Sequence, residues 1–298
     1  MPSGDKRGSV TVIVPTLNEE ESVGKVIGEL KRAGYNNILV VDGYSDDATT
    51  RVSLGMGARV VMQRGPGKAG ALATAFKEVA TPYVLVIDGD GSYDPADIDK
   101  FLPSIGHYDL VKGVRERNEN MSGLHRLGNS IITKTFDLLF GTFIGDVCSG
   151  MYLLRTELVK SVHLEKHPFT VEQEIAAEVI LSSGSITTIP ITYRRRYGGA
   201  SKVKTWRQGF RNLYTNVDLA RTHNPVLLFS TVATLILVPA FGLFGYVVLL
   251  YLITNQYHSG YLLASLVLLV LGSQGLVVAT IAAMLRRIER KLSVFADS

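Results

Sequence analysis

Residues 83–90 read YVLVIDGD, an apolar and largely β-branched run that leads without interruption into Asp88 and Asp90. Such a run is typical of a strand that is buried on both faces of a parallel sheet. In sheets of this kind, ligands bind in the crevice beyond the carboxyl ends of the strands. The two aspartates are therefore predicted to lie at a ligand crevice.

Similar strands are predicted on both sides of this one, with helices between them. In residues 19–33, for example, Val23, Ile27 and Leu30 fall on one face of a helix. Strands that alternate with helices at this spacing predict an α/β fold with a mainly parallel sheet and covered faces. The predicted strands are 10–15, 37–42, 58–63, 83–90 and 109–114, and the predicted helices are 19–33, 69–80 and, after a turn, part of 46–57.

Polar side chains that follow these strands are candidate ligands. Asp88 and Asp90 stand two residues apart at a strand end, where both can lean toward one hard cation that keeps several waters. Mg²⁺ or Mn²⁺ bound to a diphosphate suits this arrangement. An acid-glycine-acid turn is by itself more often a solvated loop, but its position after a buried strand favours a site. The residues expected at this edge of the sheet are Asn18, Asp42, Lys68, Asp88 and Asp90.

Two details of the first strands bear on the type of ligand. Pro15 ends the first strand and shapes the loop after it, whereas Asp42 is interpreted equally well as a turn residue or as an acceptor for a base or ribose. The segment after the first strand lacks the GxGxxG pattern, which argues against a dinucleotide-binding oxidoreductase.

The composition divides the chain at Pro225. The 298 residues suffice for an α/β domain of about 200 residues plus a smaller part. Residues 226–254 and 260–285 carry no charge, and each exceeds the roughly 20 residues that a membrane-spanning helix needs. We expect a hairpin of two transmembrane helices, with two buried helices of a soluble core as the alternative. Basic residues flank the hairpin at both ends, which places both flanks on the cytoplasmic side.

The remaining composition limits the compartment and the partners. Cys148 is the single cysteine, so no disulfide forms within the chain. Residues 1–9 lack the apolar core of a signal peptide, so the catalytic part is expected to be cytoplasmic. No zinc-finger spacing or RNA-binding aromatic pattern is present, which argues against nucleic acid as a partner.

Four segments occur in the order found in family 2 glycosyltransferases with the GT-A fold, which the chain resembles. They are VPTLNEEESV, VVDGYSDDAT, GPGKAGAL and DGDGSYDP, at 14–23, 40–49, 65–72 and 88–95. Within this family the chain is most similar to dolichyl-phosphate mannose, glucose and N-acetylglucosamine synthases, over residues 9 to about 222. The resemblance implies a nucleotide pocket lined by Pro15, Asn18, Glu19 and Asp42, with Lys68 nearby and with Asp88 and Asp90 holding the metal and the donor phosphates.

The same resemblance implies a site for an acceptor phosphate. The segments GVR and RLGNS, at 113–115 and 126–130, match the part of the family that grips this phosphate and point to Arg115, Arg126 and Ser130. Arg126 and Ser130 fall on one helix face, and the guanidinium fork matches phosphate oxygens. Without the resemblance, Arg126 would be interpreted as a surface charge.

Three later segments complete the resemblance. GDVCSGMYLLR and TVEQEI, at 145–155 and 170–175, imply that Asp146, Ser149, Gly150 and either Glu172 or Glu174 lie near the donor sugar. PITYRRRYGGASK, at 190–202, implies a mobile loop whose Arg196, Ser201 and Lys202 close over the diphosphate. The three consecutive arginines of this loop would also suit anionic lipid head groups.

Two positions depart from the pattern of the family. Val41 stands where many relatives have an acid, and Ser92 stands where glutamine or histidine is common. The first difference bears on the choice of base and weakly favours a UDP-linked donor, and the second bears on metal affinity.

Together these observations predict a GT-A catalytic domain over 1–204, an interfacial amphipathic helix over 205–224, two transmembrane helices within 225–286 and a basic cytoplasmic tail over 287–298. The resemblance implies inverting transfer of a hexose from a UDP- or GDP-sugar to dolichyl or polyprenyl phosphate at the membrane, and it leaves a homo-oligomer open. The alternatives are a processive polysaccharide synthase and a non-catalytic subunit that binds a lipid carrier. The residues expected to be catalytic are Asp90, Arg115, Arg126 and Arg196.

Overall fold

The computed structural model describes residues 6–116, 123–161, 171–197 and 205–296, without the side chains of 124, 160–161, 205–210, 219, 222–223 and 286–296. The chain forms two compact units. The first consists of Met1–Leu138 and Thr142–Asn216, and the second of Leu139–Gly141 and Val217–Ser298.

The first unit is built on a mixed sheet whose seven strands, in the described part of the chain, follow the order β3-β2-β1-β4-β6-β5-β7. Neighbouring strands are parallel except that β6 runs antiparallel to both β4 and β5. The strands are β1 (Val10–Thr16), β2 (Ile38–Asp42), β3 (Arg59–Met62), β4 (Tyr83–Val86), β5 (Leu110–Arg115), β6 (Tyr152–Arg155) and β7 (Ile186–Ile191). The predicted α/β fold with a mainly parallel sheet is confirmed.

Helices connect and cover these strands. Those of the first unit are α1 (Val23–Arg32), α2 (Thr49–Gly55), α3 (Gly67–Glu78), α4 (Gly123–Phe140), α5 (Thr156–Ser161), α6 (Val171–Leu181) and most of α7 (Thr205–His223). The apolar face predicted for α1 is buried, because Val23, Ile27 and Leu30 have no more than 1% of their surface exposed. The helix begins four residues later than predicted, since the preceding residues form a turn closed by the Ser22 and Val23 amides, which donate to the Glu19 carbonyl.

Two strands, β6 and β7, were not predicted. The four residues of β6 are too few to distinguish a strand from a buried helical segment by their pattern. The sequence of β7 contains Pro190, and proline is tolerated in a strand mainly at a sheet edge. β7 is the edge strand beside β5.

The topology determines where ligands can bind. The chain passes from β1 to β2 on one side, whereas β4 pairs with the other side of β1. The strand order therefore reverses at β1, and loops that follow β1, β2 and β4 meet at one edge of the sheet. Thr16 and Asp42 are register partners at this edge.

The second unit contains two long helices, α8 (Pro225–Thr254) and α9 (Ser259–Ala296). Gly275 approaches Ala233 and Gly272 approaches Leu237, so the two helices run antiparallel, as predicted for a hairpin. By length and composition, Pro225–Thr254 and Ser259–Leu285 could each cross a membrane, and few of their residues are buried.

Candidate active site

The turn after β4 carries Asp88, which lies in an ionic cluster with residues from two helices. Lys68, in the first turn of α3, donates to Oδ1 of Asp88 at 2.5 Å. The same Nζ lies 2.6 Å from Oε1 of Glu172, at the start of α6. The structure thus brings together three residues that are distant in sequence, and it places Glu172 rather than Glu174 against the lysine.

Burial has the largest effect on the pKa values of this cluster, but the charges decide the direction for two of its members. Burial alone would lower the pKa of Lys68, yet Asp88 and Glu172 raise it well above its usual value. Burial by itself would raise the pKa of Glu172, but the positive charge of Lys68 outweighs the effect of burial, so the pKa is lowered. For Asp88 burial prevails and the pKa is raised, because Lys68 offsets it only in part. The lysine therefore remains a cation at neutral pH.

Asp90, the second acid of the turn, has a different basic neighbour. Its Oδ1 accepts a hydrogen bond from the Ser92 amide at 2.9 Å, and its Oδ2 lies 3.2 Å from Nε of Arg196. Nη2 of Arg196 also donates to Oε1 of Glu19 at 3.0 Å. Both acids of the turn thus face a basic side chain.

The segment around Arg196 is attached to this turn through the backbone. The Arg194 amide donates to the Ser92 carbonyl at 2.6 Å, and the Tyr197 amide donates to the Asp90 carbonyl at 3.1 Å. Gly91 has a φ of +75°, and a Cβ atom at this position would collide with the Tyr197 ring. Only glycine combines this backbone conformation with so close an approach.

The residues predicted to line a nucleotide pocket lie at the ends of β1 and β2. Asn18 has a left-handed φ of 52°, its amide donates to Oγ of Ser45, and its Oδ1 accepts from the Asp46 amide, both at 2.8 Å. Asn18 therefore joins the two loops. Pro15 lies in β1 and is half-buried.

Asp42 is fully buried at the end of β2. Its Oδ1 accepts from the Ser45 amide at 2.7 Å, whereas its Oδ2 has no hydrogen-bond partner among the described residues. A buried carboxylate oxygen without a donor is unfavourable, so such an atom indicates a missing partner. An N–H or O–H group of a ligand, or a buried water, would supply that donor.

The donor set suits a metal that shares its coordination with a substrate. Among the described residues no group of three or more His, Cys, Asp or Glu side chains could hold a metal ion. Mg²⁺, however, is usually bound by one or two carboxylates together with substrate phosphates and waters. Asp88 and Asp90 fit this second type of site and not a complete protein cage.

A pocket of about 400 Å³ contains the three residues predicted to bind an acceptor phosphate. Arg115, Arg126 and Ser130 all line it, together with Lys134. Arg126 and Ser130 are exposed on α4, whereas Arg115 is held by two hydrogen bonds to Asp146 at 2.6 and 2.9 Å. The lining thus combines three basic side chains with two hydroxyls, of Ser130 and Thr133, and with three acids, Glu116, Asp137 and Asp146, the last of which is paired with Arg115.

Aromatic side chains connect this pocket with the turn after β4. The Arg115 guanidinium lies 5.3 Å from the centre of the Tyr193 ring, which makes an edge contact with Tyr93. The hydroxyl of Tyr93 accepts a hydrogen bond from the Gly150 amide at 2.7 Å. Gly150 in turn packs against Asp88, where a Cβ atom would collide with the carboxylate. Packed side chains therefore connect the pocket with the first of the two aspartates.

Lys112 was not recognised from the sequence. It is 1% exposed, its Nζ donates to the Ser149 carbonyl at 2.7 Å, and it lies 4.5 Å from the centre of the Tyr152 ring. Burial lowers its pKa to about 8. A lone lysine within the apolar strand DLVKGV was the available signal.

Ser201 and Lys202 lie outside the described residues.

Comparison with known proteins identifies the family of the chain. A family model described as glycosyl transferase family 2 matches residues 11–162. Glycosyltransferase AglJ of Haloferax volcanii is 32% identical over 98% of this chain and 97% of its own length. A dolichyl-phosphate hexose transferase of the same organism is 32% identical over 63% of this chain and 84% of its own length.

Solved structures agree on the fold. Glucosyl-3-phosphoglycerate synthase from Mycobacterium tuberculosis, in complex with Mn²⁺, UDP-glucose and glycerol 3-phosphate, superposes with a TM-score of 0.60. The match covers 74% of this chain and 85% of that one at 19% identity. This likeness confirms the expected fold class.

Proposed function

The chain belongs to glycosyl transferase family 2 and is a glycosyltransferase, and we propose that it transfers a hexose from a nucleotide sugar to dolichyl or another polyprenyl phosphate. The observation that carries the proposal is the pocket that Arg115, Arg126 and Ser130 line together, which a chain of packed side chains connects to the Asp88–Asp90 turn. A related protein is named dolichyl-phosphate hexose transferase, which supports a lipid phosphate as the acceptor.

On the donor side, Asp88 and Asp90 would hold Mg²⁺ or Mn²⁺, which neutralises charge on the diphosphate when it is bound. Lys68 and Arg196 lie against these two acids and are available to the diphosphate oxygens. Asp88 and Glu172 together keep Lys68 charged. These residues stabilise the nucleoside diphosphate as it leaves.

On the acceptor side, a phosphate oxygen of the lipid attacks the anomeric carbon in line. The new carbon–oxygen bond forms while the bond to the diphosphate breaks, so the configuration inverts and the nucleoside diphosphate departs. The attacking phosphate is already anionic at neutral pH, so no general base is required, unlike for a hydroxyl acceptor. Arg115 and Arg126 therefore act by positioning and by electrostatic stabilisation.

We further propose UDP as the nucleotide of the donor. Oδ1 of Asp42 is engaged by the Ser45 amide, which leaves only Oδ2 without a partner among the described residues. A carboxylate with two available oxygens suits the adjacent N1–H and N2–H groups of guanine, whereas one oxygen suits the single N3–H of uracil. The structural neighbour with bound UDP-glucose supports the same choice.

The helical hairpin would anchor the enzyme in a membrane, with the catalytic domain on the cytoplasmic side. The two helices are long and apolar enough for this role. Such an anchor would keep the site close to an acceptor that resides in the bilayer.

The test is sugar transfer by the purified full-length protein in detergent. The protein is incubated with Mn²⁺, a short polyprenyl phosphate and a panel of radiolabelled UDP- and GDP-sugars. We expect label in a phosphoprenol product with at least one donor and none when polyprenol replaces its phosphate. Growing polymer would indicate a processive synthase, and no donor-dependent label with any sugar would contradict the proposal.

A pair of arginine variants makes the test specific for the pocket. Arg126→Gln should raise the KM for polyprenyl phosphate by about tenfold, because one charge-assisted contact to the phosphate is lost. Arg155→Gln is the control. Arg155 is the last residue of β6, pairs with Asp109 and does not line the pocket. An equal effect of both variants would argue against a phosphate site in this pocket.

A further inference from the structure

Both acids of the turn after β4 already carry a basic partner. Nζ of Lys68 lies 2.5 Å from Oδ1 of Asp88, and Nε of Arg196 lies 3.2 Å from Oδ2 of Asp90. The two basic groups thus contact the carboxylates that a divalent cation would use. The arrangement therefore bears on how tightly a metal binds before a nucleotide is present.

These two pairs join side chains that are partly buried. Lys68 and Arg196 expose only 27% and 26% of their side chains. Each also contacts a second acid, since Lys68 lies 2.6 Å from Glu172 and Arg196 lies 3.0 Å from Glu19.

The backbone gives Arg196 a defined position. The amides of Arg194 and Tyr197 donate to carbonyls of Ser92 and Asp90, so the segment that carries Arg196 runs along the turn. Gly91 permits the close packing of the Tyr197 ring. The backbone of this segment therefore keeps Arg196 next to the turn that carries Asp90.

The charges predict different outcomes for a metal alone and for a metal with nucleotide. A divalent cation that arrives alone must separate two ion pairs and then remain near two positive charges, which is unfavourable at these distances. A nucleoside diphosphate brings negative oxygens that offer both basic groups new partners. Asp88 and Asp90 then become available to the metal at the same moment.

We propose that Lys68 and Arg196 are counter-ions of Asp88 and Asp90 in the free enzyme, so that a divalent metal binds weakly by itself and tightly only together with a nucleoside diphosphate. The proposal rests on the proposed function, because it assumes that this turn is the donor site. According to this proposal, Arg196 weakens metal binding when no nucleotide is present. It strengthens metal binding when a nucleotide is present, because it then contacts the diphosphate.

Binding of Mn²⁺ to the full-length protein in detergent tests this proposal without turnover. Free Mn²⁺ is measured by electron paramagnetic resonance, with and without UDP or GDP, and with correction for the soluble metal–nucleotide complex. We expect the nucleotide to tighten Mn²⁺ binding by at least about tenfold. Equal affinities with and without nucleotide would overturn the proposal.

The variant Arg196→Gln gives the sharper result. Without the guanidinium, Mn²⁺ alone should bind about fivefold more tightly than to the wild type, while the gain from nucleotide should shrink. Arg195→Gln is the matched control, since Arg195 is an exposed arginine of the same segment, and its Mn²⁺ affinity should equal that of the wild type. Lys68→Gln should act in the same direction at Asp88 and serves if Arg196→Gln does not fold.

The outcomes separate this proposal from the proposed function. If UDP binds but Arg196→Gln and Lys68→Gln leave the affinity for Mn²⁺ alone unchanged, the counter-ion proposal is wrong and the donor site remains. If neither UDP nor GDP binds with or without Mn²⁺, both proposals are wrong.

Discussion

Arg115 and Asp146 face each other through two parallel hydrogen bonds, from Nε to Oδ2 at 2.6 Å and from Nη2 to Oδ1 at 2.9 Å. Both side chains are nearly buried, with 10% and 11% of their surface exposed. A carboxylate paired in this way fixes the plane of a guanidinium. Asp146 thus fixes the orientation of Arg115 at the wall of the pocket that both residues line.

The first prediction follows from this pair. Asp146→Asn should raise the KM for polyprenyl phosphate by about tenfold, with a smaller effect on the KM of the nucleotide sugar, because Arg115 loses its bidentate partner. Steady-state kinetics with each substrate varied in turn measures both constants. Asp99→Asn is the control. Asp99 forms a similar pair with Arg7, a residue that precedes β1 and does not line the pocket. A rise confined to the KM of the nucleotide sugar would contradict the role of Asp146.

The second prediction concerns Asp90. Asp90→Asn keeps an oxygen that can accept the Ser92 amide but removes the charge, so kcat should fall by at least about 100-fold while the fold is retained. Transfer assays and thermal unfolding of the same preparation provide the two measurements. A variant that transfers sugar at nearly the wild-type rate would exclude the proposed mechanism.

The third prediction concerns the choice of base. In Asp42→Asn the carbonyl oxygen can still accept from the Ser45 amide, which turns an NH₂ group toward the position of Oδ2. This group would face the N3–H of uracil, donor against donor, so UDP should bind about tenfold or more weakly. Calorimetric titration with UDP measures the loss. Asp46→Asn, an exposed position in the same loop, should bind UDP like the wild type.

The fourth prediction concerns the pH dependence of stability. The pKa of Lys112 is about 8 in the folded protein because of burial, against about 10.4 for a lysine in an unfolded chain. Between these values the unfolded chain binds more protons, so the free energy of unfolding contributed by this group rises with pH. The cost of the buried charge is present below about pH 8 and disappears toward pH 10.

Lys112→Met removes this dependence. Relative to the variant, the wild type should therefore gain stability as the pH rises from 7 to 9.5, which thermal unfolding at both pH values measures. Lys134→Met, at an exposed lysine of α4, should show no such change. A constant difference in Tm between wild type and Lys112→Met would show that Lys112 does not titrate in this range.

Local sequence accounts for most of the strands and helices and for the position of Asp88 and Asp90 at the end of a strand. The run that ends in Asp88 and Asp90 became a strand and a turn because burial on both faces requires apolar residues at every position. The four residues of β6 and the proline-containing β7 were missed, since a strand that short or at an edge leaves no clear period.

The sequence by itself determined that this chain combines an α/β domain with two long apolar helices, and that acids lie at the carboxyl ends of its strands. Periodicity and strand ends are local properties, so they can be identified without contacts. Only the tertiary structure decided that Lys68 and Glu172 meet at Asp88, that Arg196 faces Asp90, and that Lys112 is buried beneath Ser149. Such ionic pairings depend on which distant segments the sheet topology brings together, and no local pattern encodes them.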